Sequence, residues 1–389
     1  MARLVREAPS RVSPIAYLDY QATTPVAPEA AAAMRPWIET GFANPHSPHR
    51  LGREAAAAIE AAREHVRVAL GGAEEGGRLF FTSGATEAAN WALKGAAALL
   101  PEGRRRIVTI ATEHACVLDT AEWLSGQGFD VDLLPVGADG LVDPELAAER
   151  IGGGTGLVAA MLVNNEIGVV QPVAELGRIA RERGALLFCD AVQGLGRVEI
   201  PLDACDMVAV SAHKVHGPKG VGALWVRDGV QLDAFLHGGG QEGGLRSGTL
   251  SPALCVGFGA AARLLAERRG PDREHVERLW SLALEALGPG WVLNGSAERR
   301  YRGNLNVRRD GLDSARLISE VRSVAFSAGS ACASGSGRPS HVLAALGLSE
   351  REARSGIRLG FGRYTSEMEL TDALRLISEA AARQTDFAR

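Results

Sequence analysis

The chain has 389 residues, of which 46% are hydrophobic and 23% charged, and its formal net charge is −4. That length gives two or three structural units and ample apolar material for a large core. The nearly balanced charge argues against a general nucleic-acid or anionic-membrane surface. Apolar runs such as Leu157 to Val163 are far too short to cross a bilayer, and Met1 to Ser13 carry arginine without the apolar stretch of a secretory signal.

In chain order, short apolar runs are predicted as strands at Leu79–Thr82, Ile107–Ala111, Val131–Pro135, Leu157–Val163, Leu186–Cys189, Met207–Val210 and Gly222–Val226. Most are continuous rather than alternating, as parallel strands covered on both faces should be. Amphipathic helices are predicted between them, at Glu87–Leu100 and Val173–Arg183 among others. The fold class is therefore α/β, with a large doubly wound, mainly parallel sheet. The glycine run Gly152–Gly156 precedes a strand rather than opening a helix and reads as a plain turn. A helix through Ala260–Glu267 is expected to break at Arg268-Arg269-Gly270-Pro271-Asp272. Beyond it the rhythm changes, which predicts a smaller α+β domain. The expected division is 17–266 for the large domain, with 1–16 and 267–389 forming the small one.

Only three lysines occur, Lys94, Lys214 and Lys219, against 39 arginines (42 Lys+Arg minus 3). A chain that solvates its surface with arginine uses lysine where arginine cannot serve. A desolvated lysine amine can lose its proton and attack a carbonyl to form an imine. Lys214 follows the strand end Ser211-Ala212-His213, whereas Lys219 lies in the next turn. In doubly wound sheets ligands collect beyond the carboxyl ends of the strands. Three such ends carry suitable residues: Asp190-Ala191-Val192-Gln193, Ser211 to Lys214, and Ser83-Gly84-Ala85-Thr86-Glu87, which opens a helix. A helix N-terminus with glycine and hydroxyl groups cradles phosphate. Lysine for an aldehyde, carboxylate for a pyridine nitrogen and a phosphate cradle together specify a pyridoxal phosphate site. No metal site is expected. Each element alone has an ordinary structural use, a strand-end aspartate as a helix cap above all; their ordered combination carries the reading.

The five cysteines, Cys116, Cys189, Cys205, Cys255 and Cys332, include no CxxC pair, which fits reduced thiols in a cytoplasmic compartment. Four sit in apolar or strand-like surroundings. Cys332 instead lies among Ser, Ala and Gly, in a stretch (about 325–340) that reads as a loop with nothing to pack a structural thiol.

The combination of motifs resembles the cysteine desulfurases, of the aminotransferase class V group of fold-type I pyridoxal phosphate enzymes. The matching segments begin with Tyr17-Leu18-Asp19-Tyr20-Gln21-Ala22-Thr23-Thr24-Pro25 and Thr82 to Asn90, followed by Thr112-Glu113-His114. They continue with Val163 to Gly168, Asp190 to Gln193, the lysine segment, Gly238 to Glu242 with Arg246 to Thr249, and Ser327 to Gly335 leading to Pro339-Ser340-His341-Val342-Leu343. The likeness covers roughly residues 16 to 380.

The resemblance implies that Lys214 is the imine lysine, Asp190 the partner of the pyridine nitrogen and Gln193 a hydrogen-bonding partner of the ring hydroxyl. Ala85, Thr86, Ser211, Ala212 and His213 would line the cofactor, most of them at its phosphate. Thr249 would reach the phosphate of the other subunit, which implies a homodimer. His114 would stack on the ring and move protons, and Asn165 and Arg358 would bind the substrate carboxylate. Cys332 would take sulfur from L-cysteine as a persulfide, leaving L-alanine, and pass it to an acceptor protein. Its Ser-Ala-Gly-Ser-Ala-Cys setting resembles the long-loop group, whose acceptors are iron–sulfur scaffolds or thiolation enzymes. Selenocysteine lyase and class V aminotransferase activity are the open alternatives. A non-enzymatic sulfur carrier fits poorly with an intact Lys214, Asp190 and Gln193.

Overall fold

The computed structural model of the protein describes residues 15–71, 76–329 and 340–386. Seven strands form the large sheet: β1 (Gly77–Thr82), β2 (Arg106–Ile110), β3 (Asp130–Leu134), β4 (Thr155–Met161), β5 (Leu186–Asp190), β6 (Met207–Ser211) and β7 (Gly222–Arg227). Their order is β1-β7-β6-β5-β4-β2-β3. All pairs are parallel except those of β7, which runs antiparallel to both β1 and β6. Each strand lies where a continuous apolar run predicted it, with small shifts at the ends.

The apolar residues of these strands alternate between two covered faces. Val108, Val158, Leu187, Val208 and Trp225 face a core that includes Ile59, Leu176 and Phe258 from helices Arg50–Ala69, Val173–Glu182 and Pro252–Leu287. Ile107, Leu157, Phe188, Met207 and Leu224 face the other core, filled by Trp91, Leu93 and Ala96 of helix Ala85–Ala97. Burial on both faces explains why no polar alternation marks these strands in the sequence.

A second, four-stranded antiparallel sheet places Ser327–Ala328, Gly356–Gly360, Asn304–Arg308 and Val292–Leu293 side by side. Its core joins Leu305, Val307, Ile357 and Leu359 to Leu374 and Ile377 of the last helix and to Leu18 near the start of the described chain. Ala16–Tyr17 pairs in parallel with Val324–Ala325.

The expected helix break is absent. Pro252–Leu287 is one helix of 36 residues that runs through Gly270 and Pro271. Its first half packs Phe258, Ala262 and Leu265 into the large core, and its second half packs Leu279, Trp280 and Ala283 into the small one. Pro271 lacks the N–H that would bond the Glu267 carbonyl, but both residues are exposed, so water can satisfy that carbonyl. Burial on either side outweighs the local breaker signal.

Candidate active site

The carboxyl ends of β1, β2, β4, β5 and β6 open on one rim, and the first residue of β7 lies between two of them. Gly222 pairs with Thr82 on one side and Ser211 on the other. A Cβ at Gly222 would lie 2.7 Å from the carbonyl carbon of Gly84 and 2.7 Å from the Val210 oxygen. Glycine here lets the turn before helix Ala85–Ala97 sit directly on the sheet. The first-turn N–H groups of that helix, at Ala85 and Thr86, have no intrahelical acceptor and make it an anion site.

Asp190 ends β5, is buried, and accepts a 3.0 Å hydrogen bond from the Val192 N–H. Burial raises its carboxyl above the usual range, an effect opposed by the neighbouring His114, the Val192 N–H and Lys214. A cationic ring N–H beside Asp190 would relieve that desolvation. Gln193, also buried, donates to the Gln21 carbonyl at 2.9 Å and accepts from Arg197. Ser211 and Ala212 are buried at the end of β6 and the start of the following turn, and His213 sets its Nδ1 3.1 Å from the Thr23 hydroxyl. Burial, followed by the charges of Lys214, Lys219 and Arg197, lowers His213 to about 4.

Lys214 extends Nζ to the carbonyls of Gln21 and Ala22, at 2.6 and 2.8 Å. His114 caps helix Ala115–Ser125, its Nδ1 accepting the Cys116 N–H at 3.1 Å. Burial lowers its pKa, so it is neutral near pH 7, and with Nδ1 accepting, the ring proton lies on Nε2. Glu113 beside it is completely enclosed, takes the Met161 N–H, and is pushed well above the ordinary carboxyl range by burial and then by Asp190.

Arg358 projects from the small sheet and is 1% exposed. It donates to the backbone carbonyl of Asn165 at 3.1 Å and to Asp19 at 2.7 Å. Asn165 and Arg358 are thus adjacent. Thr249 is exposed, on a segment that two ion pairs fasten down: Arg246 to Glu87, at 2.5 and 2.9 Å, and Arg63 to Glu242, at 2.7 Å. Cys332 lies outside the described residues. Of the other cysteines, Cys189, Cys205 and Cys255 are buried and Cys116 is half-buried, all four unpaired.

The profile of the family described as Aminotransferase class-V matches residues 16–373. The chain belongs to the class-V aminotransferase family. Members of this family work with pyridoxal phosphate, and the residues on the rim fit that group: an enclosed carboxylate for the ring nitrogen, a lysine amine, and a helix N-terminus brought against the sheet by Gly222. Among similar class-V proteins is "Cysteine desulfurase IscS" of Rickettsia bellii, 42% identical over 369 residues, which cover 93% of this chain and 90% of that relative. The solved structure titled "NIFS-LIKE PROTEIN" superposes with a TM-score of 0.87 at 34% identity, over 94% of this chain and 99% of that one. Another, "SspA in complex with cysteine", has a TM-score of 0.79 and 37% identity, over 90% and 99% of the two chains.

The class-V motifs in the sequence pointed to the lysine, aspartate, glutamine and arginine. They gave no role to Asp19, Gln21 or Ala22, which hold Arg358 and Lys214. The available signal was the run Tyr17 to Pro25 itself, too polar for a core strand and lacking any amphipathic period.

Proposed function

We propose that the protein is a pyridoxal phosphate-dependent cysteine desulfurase that converts L-cysteine to L-alanine and delivers the sulfur, through Cys332, to an acceptor protein such as an iron–sulfur scaffold. The observation that carries this reading is the convergence of Lys214, Asp190, Gln193 and His114 on one strand-end rim, with Arg358 reaching in from the second sheet. Relatives named as cysteine desulfurases, and a structural neighbour solved with cysteine, support the substrate. In this reading residues 17–266 form the cofactor domain, and 1–16 with 267–389 form the domain that brings Arg358 and Cys332.

Pyridoxal phosphate, when bound, supplies an electron sink for the substrate's α-carbon. Lys214 would hold it, Asp190 would face the ring nitrogen and Gln193 the ring hydroxyl. Ala85, Thr86, Ser211 and His213 would take the phosphate, with Ala212 lining the site. A neutral His213, lowered to about 4, hydrogen-bonds the phosphate without adding charge. Asn165 and Arg358 would bind the substrate carboxylate; a guanidinium fork suits that group bidentately.

Lys214, the amine at the rim, would also remove the substrate's α-proton. His114, carrying its proton on Nε2, is placed to give a proton rather than take one. Serving as base would first require it to give up the Cys116 N–H. The Cys332 thiolate then attacks the substrate sulfur. An S–S bond forms and the Cβ–S bond breaks, its electron pair staying with the carbon skeleton, which is protonated to alanine. Thr249, exposed on its fastened segment, would reach the phosphate of a second subunit, so the working unit is a homodimer. Four unpaired thiols suit a cytoplasmic setting. Among the described residues no helix is long and apolar enough to cross a membrane.

The test pairs two measurements. Borohydride reduction of the holoenzyme should bleach the visible band and place the label on Lys214. Cys332→Ala should keep the band and lose the protein persulfide formed on incubation with L-cysteine. Undiminished persulfide in that variant would sink the proposed sulfur path.

A further inference from the structure

In this structure Arg358 already holds a carboxylate. Its Nη2 donates to Asp19 Oδ1 at 2.7 Å, and the same oxygen accepts the Ser327 hydroxyl at 2.9 Å. Nη1 is engaged by the Asn165 carbonyl at 3.1 Å, while Nε is buried without a hydrogen-bond partner. The arginine side chain is 1% exposed and that of Asp19 is 20% exposed. A carboxylate arriving at Arg358 must therefore share the guanidinium with Asp19, whose side chain is the more exposed member of the pair.

The backbone around Asp19 is fixed by a turn of its own. The Asp19 carbonyl accepts the Ala22 N–H at 3.0 Å, closing a turn. The carbonyls of Gln21 and Ala22 in this turn hold Lys214 Nζ at 2.6 and 2.8 Å. One turn thus contacts both groups that an α-amino acid must engage: carbonyls on the amine-binding lysine and a carboxylate on the carboxylate-binding arginine.

We propose that Asp19 is a specificity-determining residue, a built-in rival whose carboxylate occupies Arg358 until the carboxylate of an amino acid displaces it. This rests on the reading that Arg358 receives the substrate carboxylate. An incoming carboxylate meets a guanidinium already neutralised and must compete with a tethered like charge, which weakens its binding. A ligand without a carboxylate does not enter that competition. Asp19→Asn keeps an oxygen for Arg358 and Ser327 at nearly the same place but removes the charge. The neutral acceptor is held about half as strongly, and the arginine is left with unopposed charge for the substrate.

The experiment titrates the holoenzyme with L-serine and with ethanolamine, its carboxylate-free counterpart, following the visible absorbance of the cofactor. Asp19→Asn should tighten L-serine about tenfold, an interaction between charges in partial contact with water, lower KM for L-cysteine, and leave ethanolamine within about twofold. Arg358→Gln should erase the preference for L-serine over ethanolamine, and adding Asp19→Asn to it should change nothing further. Unchanged or weaker L-serine binding in Asp19→Asn, with Arg358→Gln behaving as expected, overturns the rivalry and makes Asp19 a support for Arg358. Equal weakening of both ligands marks a structural lesion and overturns it too. A preference that survives Arg358→Gln instead refutes the carboxylate reading itself.

Discussion

Replacing Gly222 by alanine tests whether the phosphate cradle depends on the close approach of turn and sheet. The added Cβ would sit 2.7 Å from the Gly84 carbonyl carbon, 2.8 Å from its Cα and 2.7 Å from the Val210 oxygen. Comfortable carbon–carbon contacts lie at about 3.5–4.0 Å, so a displacement of roughly 1 Å is required. All three atoms are backbone, and no side chain can rotate away to absorb it. Val210 is fixed in the sheet, paired with Ala223 of β7. The turn at Gly84 is the freer side, and moving it carries Ala85 and Thr86 away from the rim. Overpacking of this kind costs about 1–3 kcal/mol, which corresponds to a loss of cofactor affinity of roughly tenfold to a hundredfold if the strain is released mostly at the cradle. The assay is the dissociation constant for pyridoxal phosphate, measured by absorbance on protein stripped of cofactor, alongside its Tm. Gly103→Ala is the control, since nothing lies within 4 Å of a Cβ there. Cofactor affinity within about twofold of wild type, at an unchanged Tm, would show that the contact does not position the cradle.

Two further outcomes follow from the electrostatics. His216 is lowered to about 4 by burial and then by Arg363, against about 6.5 in an unfolded chain. The unfolded state binds the extra proton between those values, so the stability linked to His216 is fully present above about pH 6.5 and is lost as the pH falls toward 4. His216→Asn tolerates the positive φ of 66° and can still donate to the Pro25 carbonyl, so it should flatten the acid limb of a Tm–pH profile relative to wild type; parallel profiles would count against it. Glu242, whose side chain is 3% exposed, receives the Arg63 fork and the Phe81 N–H, while Arg63 also bonds the Leu79 carbonyl. The pair thereby caps the edge strand β1. Glu242→Gln leaves Arg63 paired with the more exposed Glu60 alone and weakens the bonds at the strand edge, at a cost of about 1–3 kcal/mol. It should lower Tm and promote association through the exposed edge, both visible by thermal unfolding and size-exclusion chromatography; an unchanged Tm with a single unassociated peak would refute the capping role.

The large sheet was legible because its strands are buried on both faces. Runs such as Leu157 to Val163 and Met207 to Val210 carry their signal within a few residues. The second sheet was much less so. Val292–Leu293 and Ser327–Ala328 are two-residue strands defined by their partners, and nothing local marks them. The misread break at Gly270-Pro271 shows the opposite failure, a strong local signal overruled by tertiary packing. At the site, Lys214, Asp190 and Gln193 could be found because strand ends and residue chemistry coincide there. Asp19 could not, because its role depends on an arginine 339 residues away. Glu113 lies within the Thr112-Glu113-His114 motif, but its complete enclosure is a property of the assembled rim.

The unbroken helix Pro252–Leu287 turns the site into a ruler. Lys214 belongs to one sheet and Arg358 to the other, and a continuous helix seated in both cores spans the two. The turn from Asp19 to Ala22 spans them a second time, touching Lys214 and Arg358. Two such braces fix where Lys214 sits relative to Arg358. An α-amino acid carries its nitrogen and carboxylate on a single carbon, whereas β- and γ-amino acids set them farther apart. With Lys214 and Arg358 in the roles proposed above, the fixed spacing of the two sheets would select α-amino acids.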